Sequence, residues 1–278
     1  MGISLLDEKL AMNYLNYLNL EWESPSYDYL ERICYSHLHT FPFENISKLL
    51  FFKKGEFLPK LDTFLENYRE YNFGGTCYSL NSNLLLLLKA LGFECYHIKL
   101  GDAHIGIIVI IENEKFYVDC GAAAPFFKPV DIENNDQGST VFGTDCINIL
   151  PVDQANHEYT YVRYTNGVQS GDEWRFNSHK KQEFSDFTEI ISKSYKIGAP
   201  FMEILRCQIW QSEKNRSVSL VNNKFTIRYR NGQSHTRTLV SIEEIKNVLT
   251  QEFILPKLPV KEAIKVLYEL GIDIFFEK

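Results

Sequence analysis

The spacing of apolar residues changes period once along this chain, near Phe93, and that change limits the possible folds more than any other feature. Before it, apolar side chains recur every three or four residues over 7–18, 27–38 and 61–71, which places them on one face of a helix. After it come short runs rich in β-branched and aromatic residues at 104–111, 116–120, 159–164 and 205–211. A helical bundle followed by a barrel or strongly bent sheet is therefore expected. The C-terminal part mixes both periods, with strands at 224–230 and 236–240 and helices at 241–251 and 260–270. Ser241-Ile242-Glu243-Glu244 reads as a capping box and Gly271 as a helix stop. Residues 134–140 and 166–172 are polar and contain glycine, and read as loops.

Charge and cysteine usage exclude several functions. The 36 acidic and 29 basic residues give a net charge of -7, the wrong sign for a protein that grips a phosphate backbone. The longest apolar runs, 84–88 and 105–111, fall far short of the ~20 residues that cross a bilayer. No nucleic-acid partner and no membrane are expected. Leu6 stands where a myristoylation signal needs Ser or Thr, and Asp7 and Glu8 interrupt any signal core, so an unprocessed chain is expected. Six widely spaced cysteines without a Cys-x-x-Cys pair suit reduced thiols in a cytoplasmic protein. Cys34, His37 and His39 bring three metal-ligating types together, but with no second ligand pair they read as a packed helix end, and no metal is expected.

The chemistry centres on Gly74-Gly75-Thr76-Cys77, which runs into a leucine-rich helix that should end at Gly92. A cysteine at a helix N-terminus faces free N–H groups and the positive end of the helix dipole, both of which favour thiolate. A small core residue is the plain reading of a lone cysteine, so the question is whether a base and an orienting acid accompany it. One hairpin offers both. With a two-residue turn at Glu112-Asn113, Asp119 lies opposite Gly106, and His104 lies two residues further along the same face. Such diagonal neighbours are about 7–8 Å apart, within reach of an imidazole and a carboxylate, and Gly106 should leave room for the ring. A three-residue turn would put the two side chains on opposite faces.

Taken in order, His39-Thr40-Phe41-Pro42-Phe43-Glu44-Asn45-Ile46, Gly74-Gly75-Thr76-Cys77 with Asn81, His104 before an apolar strand, and Val118-Asp119-Cys120-Gly121 resemble the arylamine N-acetyltransferases. The resemblance spans nearly the whole chain. It implies an α+β fold in three units: a helical bundle (1–92) carrying the nucleophile, a central β-barrel (93–197) carrying His and Asp, and a C-terminal α/β lid (198–278), with a cysteine-protease-like catalytic core. It also implies ping-pong acetyl transfer from acetyl-CoA to an arylamine, hydrazine or related amine. Cys77 would be the nucleophile, His104 the base and Asp119 its orienter. Gly101 and Ala103 would lie against the pantetheine arm, and Phe43 and Ala122 would line the acceptor pocket.

Three departures from the family pattern stand out. Phe73 replaces an arginine before the glycines, and Ser79 replaces a glutamate after the cysteine, which leaves Glu44 to find new partners. Ala122 replaces a phenylalanine and should open the pocket to bulkier amines unless Phe126 or Phe127 fills the gap. Competing expectations are an amide synthase that releases a longer acyl chain from a carrier thioester, a hydrolase with the same triad, and an inactive relative that keeps the fold.

Overall fold

Helices α1 (Leu5–Leu18), α2 (Tyr27–Thr40), α3 (Ile46–Lys54), α4 (Leu61–Tyr71) and α5 (Cys77–Ala90) occupy the first part of the chain. The structure is a computed structural model and describes residues 5–134 and 138–276. α2 starts where Ser26 turns extended and its hydroxyl accepts from the Tyr29 N–H at 3.2 Å. It buries Tyr29, Leu30, Ile33, Cys34, His37 and Leu38, one apolar stripe at helical spacing. α5 is buried on almost every side through Leu80, Leu84, Leu85, Leu87 and Leu88, so it runs through the core. Gly92, at φ +91°, ends it as the sequence suggested.

The β-rich stretch forms two open sheets, a correction to the expected central barrel. The first comprises β2 (Glu94–Leu100), β3 (His104–Ile111), β4 (Glu114–Val118) and β5 (Val130–Asp131), in that order. β1 (Phe43–Glu44) lies elsewhere, as described below. The second has the order β10 (Trp174–Asn177), β8 (Glu158–Thr165), β7 (Asp145–Asp153) and β6 (Gly138–Phe142), with β9 (Val168–Gln169) pairing on β8. Closure would need a continuous staggered ladder between the two sheets. The described residues provide isolated links instead, such as the Gly101 N–H donating to the Arg175 carbonyl at 2.9 Å. The expected loop at 134–140 is also revised, because Gly138–Phe142 is strand β6 and residues 135–137 lie outside the described residues.

α6 (Thr188–Ser194) follows, and then β11 (Arg206–Gln211), β12 (Arg216–Val221), β13 (Lys224–Tyr229) and β14 (Ser234–Thr238) form an antiparallel meander. α7 (Ile242–Gln251) and α8 (Val260–Glu269) complete the chain's elements. The Ser241 hydroxyl accepts from the Glu244 N–H at 3.2 Å, and the Glu244 carboxylate accepts from the Val240 N–H at 3.1 Å, one residue before the position the capping box assigns it. β1 joins the edge of this last sheet, with Phe43 opposite Gln208 and Glu44 opposite Cys207. Ile46 and Leu49 of α3 pack in the same core as Leu220, Val248 and Leu267. A second, larger core holds α1, α2, α4, α5 and both central sheets.

Candidate active site

Cys77 is the first residue of α5 and is almost fully buried. The glycines before it are fixed by contact as well as by backbone angle. A Cβ on Gly74 would lie 2.0 Å from the Pro42 carbonyl oxygen, and Gly75 sits at φ +116° against Ser79. The Glu44 N–H donates to the Gly75 carbonyl at 3.0 Å, which ties the loop before Cys77 to β1. From the other side, Gly121 presses its backbone on the cysteine, where a Cβ would approach Cys77 Cα to 2.7 Å. Phe187, Ile191 and Tyr195, on and beside α6, belong to the same small buried cluster as Cys77, Tyr78 and Ile105.

His104 and Asp119 meet as the two-residue turn required. Glu112 and Asn113 both have positive φ, at 54° and 69°, and Ile107 pairs with Val118, so Asp119 falls opposite Gly106. His104 Nε2 lies 2.6 Å from Asp119 Oδ2, with both side chains buried. Cys77 lies near the same imidazole, close enough that its sulfur favours the charged ring. Trp174 stacks on the ring at 4.7 Å between centroids.

Asp119 has more partners than the sequence suggested. Its carboxylate also accepts from the Tyr117 hydroxyl at 2.7 Å, from Asn81 Nδ2 at 2.8 Å and from the Gly121 N–H at 2.9 Å. The reading of Gly106 is corrected: a Cβ there would meet Leu100 and Tyr117 at 2.9 Å, so the glycine makes room for Tyr117 rather than for the imidazole. Alternation along β4 would have flagged Tyr117, two residues before Asp119 on the same face. Asn81 Nδ2 also donates to the Ile105 carbonyl at 2.7 Å, and Asn81 Oδ1 accepts from the Cys120 N–H at 3.0 Å. That one side chain locks α5, which carries Cys77, to the hairpin that carries His104 and Asp119.

The electrostatics follow from these contacts. Burial opposes charge on the imidazole, but the Asp119 charge, the hydrogen bond to Asp119 and the nearby Cys77 outweigh it and raise His104 to about 10. Burial likewise opposes charge on Asp119, and the His104 charge with the hydrogen bonds from His104, Asn81 and Tyr117 holds the carboxyl below its ordinary value. The arrangement is a buried thiol beside an imidazole base that a buried carboxylate holds, the constellation that activates a sulfur nucleophile.

The two charge losses noted in the sequence are absorbed locally. Phe73 stacks on Tyr71 at 5.2 Å and meets Phe51 edge-on at 6.0 Å, while the Ser79 hydroxyl donates to the Gly74 carbonyl at 3.1 Å. Buried Glu44 accepts from the Ser47 N–H at 2.8 Å, the Ser47 hydroxyl at 2.7 Å and the Gly74 N–H at 3.2 Å. Burial prevails over these bonds and pushes its carboxyl from 4.5 up to about 7. A folded value above the unfolded one favours the protonated form, so its contribution is present below the unfolded value and lost as pH rises through 7. The stability of Glu44→Gln relative to wild type is therefore expected to shift towards the variant by about 3 kcal/mol as pH rises through that window. Urea unfolding at matched pH values measures the difference, and a flat profile would mean that Glu44 does not titrate in this range.

The remaining candidates divide. Gly101 turns at φ +51° between β2 and β3 beside Trp174, and the Ala103 carbonyl accepts from the Tyr78 hydroxyl, which places both at the mouth of the His104 strand. Phe43 is buried on β1 against Phe201 and bridges to Gly75. Ala122 is half-buried, one residue past Gly121. His37 Nε2 bonds the Tyr14 hydroxyl at 2.9 Å, and His39 bonds Ser212 and the Tyr35 carbonyl at 2.6 Å, as packed helix-end residues would. Sequence reading passed over Lys48 on α3. Its Nζ is buried, donates to Ser194 at 2.7 Å and lies 3.9 Å from the Tyr195 ring centre, and burial lowers the ammonium to about 8.

Solved structures share this fold at low sequence identity. The arylamine N-acetyltransferase from Mycobacterium abscessus aligns with a TM-score of 0.77 at 15% identity, covering 98% of this chain and 100% of that one. The enzyme from Salmonella typhimurium aligns at 0.76 and 17% identity, covering 94% and 98%. That from Mycobacterium marinum, solved in complex with CoA, aligns at 0.74 and 15% identity, covering 96% and 100%. Among curated proteins, none is similar enough in sequence to match the chain. The N-acetyltransferase family pattern matches residues 26–261, nearly the whole chain, and the chain belongs to that family.

Proposed function

We propose that the protein transfers an acetyl group from acetyl-CoA to an arylamine, hydrazine or related amine through a thioester on Cys77. The observation that carries this reading is the buried His104 imidazole, held by Asp119 at 2.6 Å and near enough to Cys77 to be raised by it. In the first half-reaction His104 takes the thiol proton, the sulfur attacks the acetyl carbonyl, and CoA leaves with a proton returned by His104. In the second, the amine attacks the Cys77 thioester, its proton passes to His104, and the amide departs as the C–S bond breaks. Asp119 holds the imidazole in one tautomer and offsets the charge it acquires. Free CoA should appear in a burst of one equivalent per enzyme without amine, and initial rates against both substrates should give parallel reciprocal lines. Lines that intersect would replace this scheme with direct transfer.

Gly101 and Ala103 are proposed to meet the pantetheine arm, since the turn they form opens beside Trp174 and His104. Residues 1–92, 93–197 and 198–278 are proposed to act as nucleophile-bearing, base-bearing and lid units. The six cysteines are free, which suits a cytoplasmic enzyme, and among the described residues no helix is long and apolar enough to cross a membrane. Small-molecule amines and acyl-CoA are its proposed partners, and the negative net charge argues against nucleic acid.

Phe43 and Ala122 are proposed to line the acceptor pocket. Phe126 packs on Tyr117 and Tyr161, and Phe127 on Trp210 and Phe142, so both rings already have partners that hold them. A methyl group at 122 then favours extended aromatic amines. Ala122→Phe should shift the ratio of specificity constants towards single-ring amines severalfold, the worth of about 1 kcal/mol of aromatic contact. An unchanged ratio would remove residue 122 from the pocket.

A further inference from the structure

Three side chains distant in sequence converge where the two central sheets meet. Glu133 follows β5, His157 sits in the turn between β7 and β8 at φ +57°, and His179 follows β10. One ligand atom from each lies within 4.8 Å of the other two. Glu133 Oε1 is 4.0 Å from His157 Nδ1 and 3.7 Å from His179 Nε2. Their backbones are tied: the Ser178 N–H donates to the His157 carbonyl at 3.0 Å, Asn177 Nδ2 to the Asn156 carbonyl at 2.8 Å, and the Tyr96 hydroxyl to the Ser178 carbonyl at 2.7 Å. The cluster therefore rests on a built scaffold, with β2 joined to the end of β10.

We propose that Glu133, His157 and His179 bind a divalent transition-metal ion of the zinc type, which staples the two open sheets together. Two imidazoles and a carboxylate, with a fourth position left to water, form a ligand set suited to zinc. The rings now stack 3.5 Å apart and nearly parallel, and a metal cannot lie in both ring planes in that pose. Binding turns at least one ring about its side-chain torsion, and the exposure of His157 and His179, 38% and 43%, leaves room for the turn. Lys115 occupies the carboxylate in the meantime, with its Nζ 2.8 Å from Glu133 Oε1. The ammonium is thus a competitor, and the ion displaces it. This site is a structural staple, separate from the acetyl-transfer chemistry and independent of that assignment.

The test uses the tag-free full chain with Cys77 capped by iodoacetamide, so that its thiol does not compete, titrated with Zn²⁺ by calorimetry and with Co²⁺ by visible absorbance. One equivalent is expected to bind. Binding should be lost in His157→Ala and in His179→Ala, weaken about tenfold or more in Glu133→Gln, and tighten severalfold in Lys115→Met. Zn²⁺ should raise the Tm of the wild type and leave that of His157→Ala unchanged. No binding by the wild type, or the same stoichiometry and affinity in all four variants, would overturn the site.

Discussion

Cys77→Ala is expected to abolish acetylation of the protein by acetyl-CoA and to lower turnover by about ten-thousand-fold or more. The expectation rests on position. Cys77 stands at the N-terminus of α5, whose N-cap Thr76 makes no side-chain capping bond, and the positive end of the helix dipole there favours negative charge. It also lies near the imidazole that Asp119 holds, and favours that ring's charged form. The other cysteines lack that setting: burial pushes the thiols of Cys95, Cys120 and Cys207 up, Cys95 to about 12, away from reactivity. Intact mass after mixing with acetyl-CoA alone should show one acetyl group on the wild type and none on the variant. Equal labelling of both proteins would move the nucleophile elsewhere. Because residue 77 packs against Gly121, the smaller alanine should leave the fold intact, which circular dichroism can verify.

Asp119→Asn should lower turnover by a similar factor, about ten-thousand-fold, for a different reason. The carboxylate accepts from His104, Tyr117, Asn81 and Gly121 together. An amide offers one accepting oxygen and a donating nitrogen, so at least one of these donors faces another donor. The nearest casualty is His104, which loses the partner that fixes its tautomer and raises it to about 10. The sign of the pH effect follows. A raised folded value stabilises the protein below the unfolded imidazole value of 6.5, and this contribution is lost as pH rises through 10. The depressed Asp119 value adds stability above its unfolded value that disappears on acidification. The variant should therefore lose more stability near neutrality than at acid pH. Single-turnover rates and urea midpoints across pH report the two effects, and a wild-type rate in the variant would show that the carboxylate does not orient the base.

How much of this was legible in advance depends on distance along the chain. The α4 helix over 61–71 and the β3 strand over 104–111 appear where periodicity put them, because a helix face or a strand face is written into neighbouring residues. The meeting of His104 with Asp119 was equally local: it needs only a two-residue turn, and Glu112 and Asn113 adopt the left-handed angles such a turn requires. α3 was overlooked because its run of Ile46, Leu49, Leu50, Phe51 and Phe52 lies directly after the short strand β1, and its N-cap residue Asn45 spends its side chain on Phe201, Ile204 and Arg206 rather than on the helix.

What the sequence by itself determined is therefore the set of local elements, the cysteine at a helix start and the hairpin that pairs His104 with Asp119, each set by interactions within about one turn or one hairpin. Tertiary structure alone decided the rest. Phe43-Glu44 pairs with β11 more than a hundred residues away, Asn81 bolts the helix of Cys77 to the hairpin, Gly106 yields its space to Tyr117, and the two central sheets stay open. These outcomes depend on which faces and edges remain unfilled once the local elements have formed. Burying them means closing long loops, and the cost of closure depends so weakly on loop length that no local pattern records which partner is chosen.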